Sequence, residues 1–117
     1  MTTAETGSYG ERVAAAFLRR HGYRVLTRNY QAADGEIDLV CRHGEMLVFA
    51  EVRTRGSEAF GRPSESIDTR KEDAVRRTAR SYLELLKRDD ITYRFDVVEV
   101  MIKPGTAPIC TLIPNFF

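Results

Sequence analysis

Asp38 and Glu51 are the residues of this chain best suited to chemistry, because each interrupts a run of apolar residues, EIDLVCR and EMLVFAEVRT. A carboxylate among buried apolar neighbours is costly unless a cation sits beside it. If the two runs are adjacent antiparallel strands, both acids can share one face and one ion. Two carboxylates plus water suit a hard divalent cation, Mg2+ or Mn2+. Such an ion polarises a phosphoryl oxygen and makes an attacking water more acidic. Arg53 lies two positions after Glu51, on the same face of its strand, where it can steady developing negative charge. A second reading needs no metal: Arg53 paired with Asp38 or Glu51 would fix the sheet and do nothing more. The hairpin register decides whether the two acids share a face.

Glu11 is a third candidate. It stands off the apolar stripe of its helix, beside Gly7, Ser8 and Gly10, whose small size lets another element approach. A glutamate in a first turn equally serves as a solvent-facing partner of the helix dipole.

The elements that must position these groups follow from periodicity. Gly7 to Gly22 reads as a helix with Ser8 or Thr6 as its cap and an apolar stripe of Tyr9, Val13, Ala14, Phe17 and Leu18. Tyr23 to Tyr30 reads as a strand, and Ala32 to Gly35 as a turn. Glu36 to Arg42 and Glu45 to Thr54 form a hairpin joined at His43-Gly44, where glycine admits positive φ. Both hairpin strands are apolar almost throughout, which asks for a helix on each face of the sheet. In the first of them Ile37, Leu39 and Cys41 should point away from Asp38 and Val40. Gly56 to Ile67 reads as a loop. Thr69 to Arg88 reads as a second helix, capped by Asp68 or Thr69, with an inward stripe of Val75, Thr78, Ala79, Tyr82, Leu83, Leu85 and Leu86. Thr92 to Ile102 is a further strand. The tail ending PNFF adds an edge strand or packs Phe116 and Phe117 onto the body. The order α-β-β-β-α-β describes one α/β domain spanning residues 1–117.

Composition bounds the function. At 117 residues the chain can bury about two thirds of its unfolded surface without a disulfide or metal staple. No run approaches the ~18 apolar residues of a membrane span, and MTTAETGSYGER lacks the basic start and apolar core of a signal peptide. Cys41 and Cys110 have no ligand spacing, which argues against structural zinc and for a reducing, cytoplasmic setting. His21 suits a helix C-terminus and His43 a turn. The net charge is +1, but charge is segregated: five acids and one arginine lie between Asp34 and Glu51, against seven bases and three acids between Arg70 and Arg88. An acidic patch beside a basic one suits a metal site next to a phosphate-binding surface. Arg55, Arg62, Arg70 and Lys71 flank the loop and could contact phosphates. Arg76, Arg77, Arg80, Lys87 and Arg88 equally well solubilise the helix. Tyr30 and Phe60 could stack on bases, or equally well serve in the core or a lid.

Several separated motifs together resemble the YraN-like family of small bacterial proteins: GSYGERVAAAFLRRHGYRVLTRNY, GEIDLV, LVFAEVRTR, FGRPSESI, TRKEDAVRRTARSYL and RFDVVEV. That family resembles the PD-(D/E)XK nucleases, with the restriction-endonuclease-like fold and a kinship to archaeal Holliday junction resolvases. The resemblance implies a mixed sheet flanked by helices, metal ligation by Asp38 and Glu51, and a helix glutamate at Glu11. The usual lysine of EVK falls on Arg53, a departure from the pattern. Arginine keeps the charge but exchanges a compact ammonium for a planar fork. The implied activity is Mg2+- or Mn2+-dependent cleavage of DNA phosphodiester bonds, on branched or junction DNA, with RNA left open. The alternative is a catalytically weak or inactive nucleic-acid-binding protein on the same fold. A resolvase-like role would ask for a homodimer. Lys71 is a further cation that the second helix could send toward the site.

Overall fold

Thr2, rather than Ser8 or Thr6, caps the first helix. Its hydroxyl accepts from Glu5 N at 3.1 Å, and Glu5 Oε1 accepts from Thr2 N at 2.8 Å. This capping box satisfies two N–H groups that the first turn would otherwise leave orphaned. It carries the helix through Gly7 and Gly10, whose cost in a helix is about 1 kcal/mol each. The chain is seen in a computed structural model that describes residues 2–33, 35–56 and 69–117, the Thr3 side chain excepted. Asp34, Phe60, Arg62 and Asp68, and most of the expected loop, lie outside the described residues.

The elements are α1 (Thr3–Arg20), β1 (Arg24–Ala32), β2 (Gly35–His43), β3 (Met46–Arg55), α2 (Thr69–Leu86), β4 (Thr92–Met101) and β5 (Ile109–Ile113). The strands form one sheet in the order β1-β2-β3-β4-β5. β3 and β4 are parallel, joined across α2; the other neighbours are antiparallel. The fold is thus the expected mixed α/β arrangement, with the order α-β-β-β-α-β-β. Among the described residues no helix is long and apolar enough to cross a membrane.

Each face of the sheet carries one helix, as the apolar hairpin strands required. Ala14, Ala15 and Leu18 of α1 pack on Leu39, Cys41, Val48, Ala50, Val98 and Val100. Val75 and Ala79 of α2 cover Ile37, Val40, Leu47, Phe49 and Phe95 on the other face. Three expectations are corrected here. Ile37 does not share the face of Leu39: it joins Val40 on the α2 side, so the alternation of β2 breaks at Asp38. Opposite this break, Asn29 takes φ 54° between the pairs Arg28–Leu39 and Tyr30–Ile37. The second helix ends at Leu86, two residues early, because Lys87 turns to φ 53°. Leu85 and Leu86 are consequently exposed in the last turn instead of completing the inward stripe.

The tail does both things asked of it. β5 pairs with β4, and beyond it Phe116 N donates to Phe95 O at 2.7 Å while Phe117 stacks on Phe95 at 5.2 Å. Tyr30 packs half-buried against the core on the α2 side: its hydroxyl lies 3.1 Å from Ser81 Oγ and its ring meets Tyr82 edge-on. His21 Nδ1 donates to Phe17 O at 2.8 Å at the end of α1, and His43, expected in the turn, is the last residue of β2 and stacks on Tyr23. Both cysteines are free.

Helix α1 reaches the end of β3 at Gly10, which is buried against Thr54. A Cβ at Gly10 would overlap Thr54 Oγ1 and come within 2.9 Å of its Cβ. Gly10→Ala should therefore lower the melting temperature despite alanine's better helix propensity. Overpacking costs about 1–3 kcal/mol, against a propensity gain of about 1 kcal/mol. Thr54→Ala in the same chain removes the Oγ1 overlap but keeps the close Cβ, so it should recover part of the loss; thermal melts of the single and double variants check this, and an unchanged Gly10→Ala melt would refute the contact.

Candidate functional site

The paired register of the hairpin runs from His43–Met46 to Leu39–Ala50, so Asp38 and Glu51 occupy its next position. There the side chains take over the work of the ladder. Asp38 N donates to Glu51 Oε2 at 3.1 Å, and Val52 N donates to Asp38 Oδ2 at 2.8 Å. The two acids exchange hydrogen bonds with each other's strand, which fixes both carboxylates on rigid backbone. Each spends one oxygen in doing so. Glu51 is fully buried, and its Oε1 accepts no hydrogen bond among the described residues. That oxygen faces Lys71 Nζ at 3.1 Å and Arg53 Nη2 at 3.9 Å, both ion pairs without hydrogen-bond alignment.

Burial and the adjacent Glu51 charge push the Asp38 carboxyl up to about 7, with a smaller push from Glu11; the Val52 N–H and Arg53 pull the other way. Two carboxylates are thus held together where the charged form of one is disfavoured. A cation between them would relieve that cost, and the donor set (two carboxylates fixed by main-chain donors, one buried oxygen without a hydrogen bond among the described residues) suits a hard divalent ion with oxygen ligands. Among the described residues no group of three acids, cysteines or histidines converges on one point. Glu11 is half-buried on α1, next to Gly10, and reaches Asp38 through its charge alone.

Of the other expected residues, Arg53 and Lys71 lie beside this pair. Arg53 projects on the face of Glu51 and gives one donor to Val52 O at 3.2 Å. Arg55, two residues on, donates from Nη1 to Thr54 O at 3.3 Å, while its buried Nε has no hydrogen-bond partner among the described residues. Arg70 is exposed in the first turn of α2, and Lys71 turns inward from the same turn. Arg62 lies outside the described residues. Glu99 is the residue that sequence reasoning passed over. It is buried on β4, beside Arg53 in the parallel register and on the same sheet face. An acid in the apolar run RFDVVEV was the same signal that singled out Asp38. The neighbouring Asp96 shows how weak that signal is alone: both its oxygens meet Arg94 Nε at 3.0 Å and Oδ1 also accepts from Asn115 N at 2.8 Å, an arrangement that ties the tail to β4.

Residues 10–100 match the model of the family described as "Uncharacterised protein family UPF0102". Among the relatives, a UPF0102 protein of Moorella thermoacetica is 49% identical over 102 residues, 87% of this chain and 85% of its own. One from Syntrophomonas wolfei is 39% identical over 112 residues, covering 96% and 97% of the two chains. One from Caldicellulosiruptor saccharolyticus is 42% identical over 118 residues and the full length of both.

Proposed function

Because the chain belongs to the uncharacterised protein family UPF0102, the YraN-like family of its motifs, we propose a function from the site itself: a metal-dependent nuclease acting on DNA phosphodiester bonds, with branched or junction DNA as substrate. The observation that carries this reading is the crossed pair of Asp38 and Glu51, fixed by main-chain donors with a buried carboxylate oxygen left beside two cations. A pair built only to hold the sheet has no need of a second acid whose charge the first opposes.

Asp38 and Glu51 would hold Mg2+ or Mn2+, Glu51 through Oε1. When bound, the ion supplies charge neutralisation at phosphorus and a more acidic attacking water. Arg53 presents a planar fork on the same face, suited to two oxygens of the scissile phosphate. Arg55 and Arg70 extend the positive surface along the backbone of the substrate, which positions a duplex without reading its bases. Glu11, opposite on α1, adds negative charge that favours cation uptake.

The test is incubation of the chain with duplex, forked and four-way-junction DNA, and with RNA of the same sequence, in Mg2+, Mn2+ or chelator, alongside calorimetric Mn2+ titration. The expected result is strand cleavage in metal alone, fastest on branched DNA, with saturable Mn2+ uptake. No cleavage and no uptake would overturn the reading. One observation favours a second reading: arginine stands where the strand lysine is expected. DNA binding that weakens with salt and never leads to cleavage is the result that would select an inactive binding protein.

A further inference from the structure

Glu51 has two cationic neighbours, and the nearer one comes from another element. Lys71 Nζ, reaching down from the first turn of α2, is 3.1 Å from Oε1; Arg53 Nη2, from the same strand as Glu51, is 3.9 Å away. The two differ in exposure as well as distance. The Arg53 side chain is 16% exposed and gives Nη1 to Val52 O, whereas the Lys71 side chain is 40% exposed. Lys71 is also badly placed for its own helix. A cation in the first turn opposes the helix dipole, so this position is electrostatically unfavourable unless something beyond the helix repays it. The buried Glu51 carboxylate does so.

We propose that Lys71 supplies the ammonium at the reacting centre that the strand lysine would supply, leaving Arg53 to grip phosphate. This rests on the nuclease reading above. An ammonium is a compact charge with three freely directed donors, able to hold one water and one phosphoryl oxygen beside Glu51; a guanidinium is broad and planar and matches two oxygens of a single phosphate. In the reaction a water oxygen forms the new bond to phosphorus and its proton passes to solvent. The bridging P–O bond breaks, and its electron pair leaves on the departing oxygen, which is protonated from solvent. Lys71 keeps its proton throughout and stabilises the charge that develops between those events.

Two kinds of measurement test the assignment. The first needs neither metal nor substrate: thermal melts in chelator of Lys71→Met, Arg53→Met and each combined with Glu51→Gln. Lys71→Met should lower the melting temperature more than Arg53→Met, and most of its loss should vanish in the Glu51→Gln background. The second separates rate from affinity. In single-turnover cleavage with Mn2+, Lys71→Ala should be about 100-fold slower, the scale of one lost electrostatic donor. Its DNA affinity in Ca2+ should stay near wild type, and added ethylamine should recover part of the rate. Lys71→Arg, which keeps the charge and hence the fold, should also be slow. Arg53→Ala should instead lose DNA affinity, and Arg53→Lys, which gives up the planar fork, should lose part of it. Cleavage by Lys71→Ala within threefold of wild type, or a full rate loss in Arg53→Ala with affinity intact, would overturn the assignment and leave the nuclease reading standing. A wild type that cleaves nothing overturns both.

Discussion

Asp38→Asn should raise the melting temperature of the metal-free protein at pH 8 while abolishing divalent-ion binding and slowing cleavage. The wild-type carboxyl holds its proton up to about 7 in the fold, against an ordinary 3.8, because burial and the Glu51 charge disfavour the carboxylate. Between those two pH values the folded chain binds more protons than the unfolded one. The stability this contributes is therefore complete below about pH 4 and is lost as pH rises through about 7. Metal-free wild type should accordingly melt lower at pH 8 than at pH 5, by roughly 5–10 °C for a loss of about 2 kcal/mol. Asparagine is neutral throughout, and its carbonyl oxygen can still accept from Val52 N, so the variant should lose this slope. Cleavage should fall by about 1,000-fold, the upper scale for a single lost electrostatic partner at a reacting centre. The structural alternative predicts the opposite sign: if Asp38 serves as an anchor for Arg53, neutralising it should destabilise the chain at pH 8. Calorimetric melts at pH 5, 6, 7 and 8, with Mn2+ titration of both proteins, distinguish the two. A variant that melts lower at pH 8 and binds Mn2+ as the wild type does would end the metal reading.

The part of this site legible in the sequence was the part that costs energy. Asp38 and Glu51 each place a carboxylate in an apolar strand, a conflict visible from composition and period alone, and the shared face of Glu51 and Arg53 follows from the alternation of β3. The hairpin, the two helices and their opposite faces followed for the same reason, since strands apolar on both sides demand cover on both. What did not follow depends on particular backbone angles and distances between elements. The break in β2 that sends Ile37 to the α2 face is a local departure from period two, paired with the positive φ of Asn29, and no residue pattern announces it. The 3.1 Å approach of Lys71 depends on how α2 lies over the sheet; the sequence shows a basic run between Arg70 and Arg88 but not which member turns inward. Glu99 was legible by the rule that found Asp38, but the same rule also points to Asp96, which Arg94 holds. The capping box at Thr2 and Glu5 was in plain view, and the glycines after it hid the start of α1.

Glu51→Ala should destabilise where Asp38→Asn stabilises, and the opposition of signs is what makes the pair informative. Glu51 is fully buried, and in the absence of metal it is the common counter-charge of Lys71 and Arg53 and the acceptor for Asp38 N. Alanine removes all three roles at once. The Asp38 N–H is left without its acceptor, a loss of about 1–3 kcal/mol if water does not replace it. Arg53, largely buried, loses the nearby carboxylate, and breaking a buried ion pair from one side costs about 3–5 kcal/mol. Against this, Asp38 no longer faces a like charge, which returns part of the loss above pH 7. The expected net result at pH 7 is a loss of about 3 kcal/mol, or a melting temperature lower by roughly 10 °C. Glu51→Gln keeps the volume and can keep the bond from Asp38 N, so it should lose less than alanine does. Saturating Mn2+ should stabilise wild type, because a ligand bound only by the folded state shifts the equilibrium toward it, and should leave Glu51→Ala unmoved. Glu51→Ala melting within about 2 °C of wild type in chelator would refute the role given to Oε1. Equal stabilisation of both proteins by Mn2+ would place the ion elsewhere. If the signs do oppose, one acid holds the site together while its neighbour strains it, and a strained carboxylate beside an anchored one is the arrangement a divalent ion would relieve.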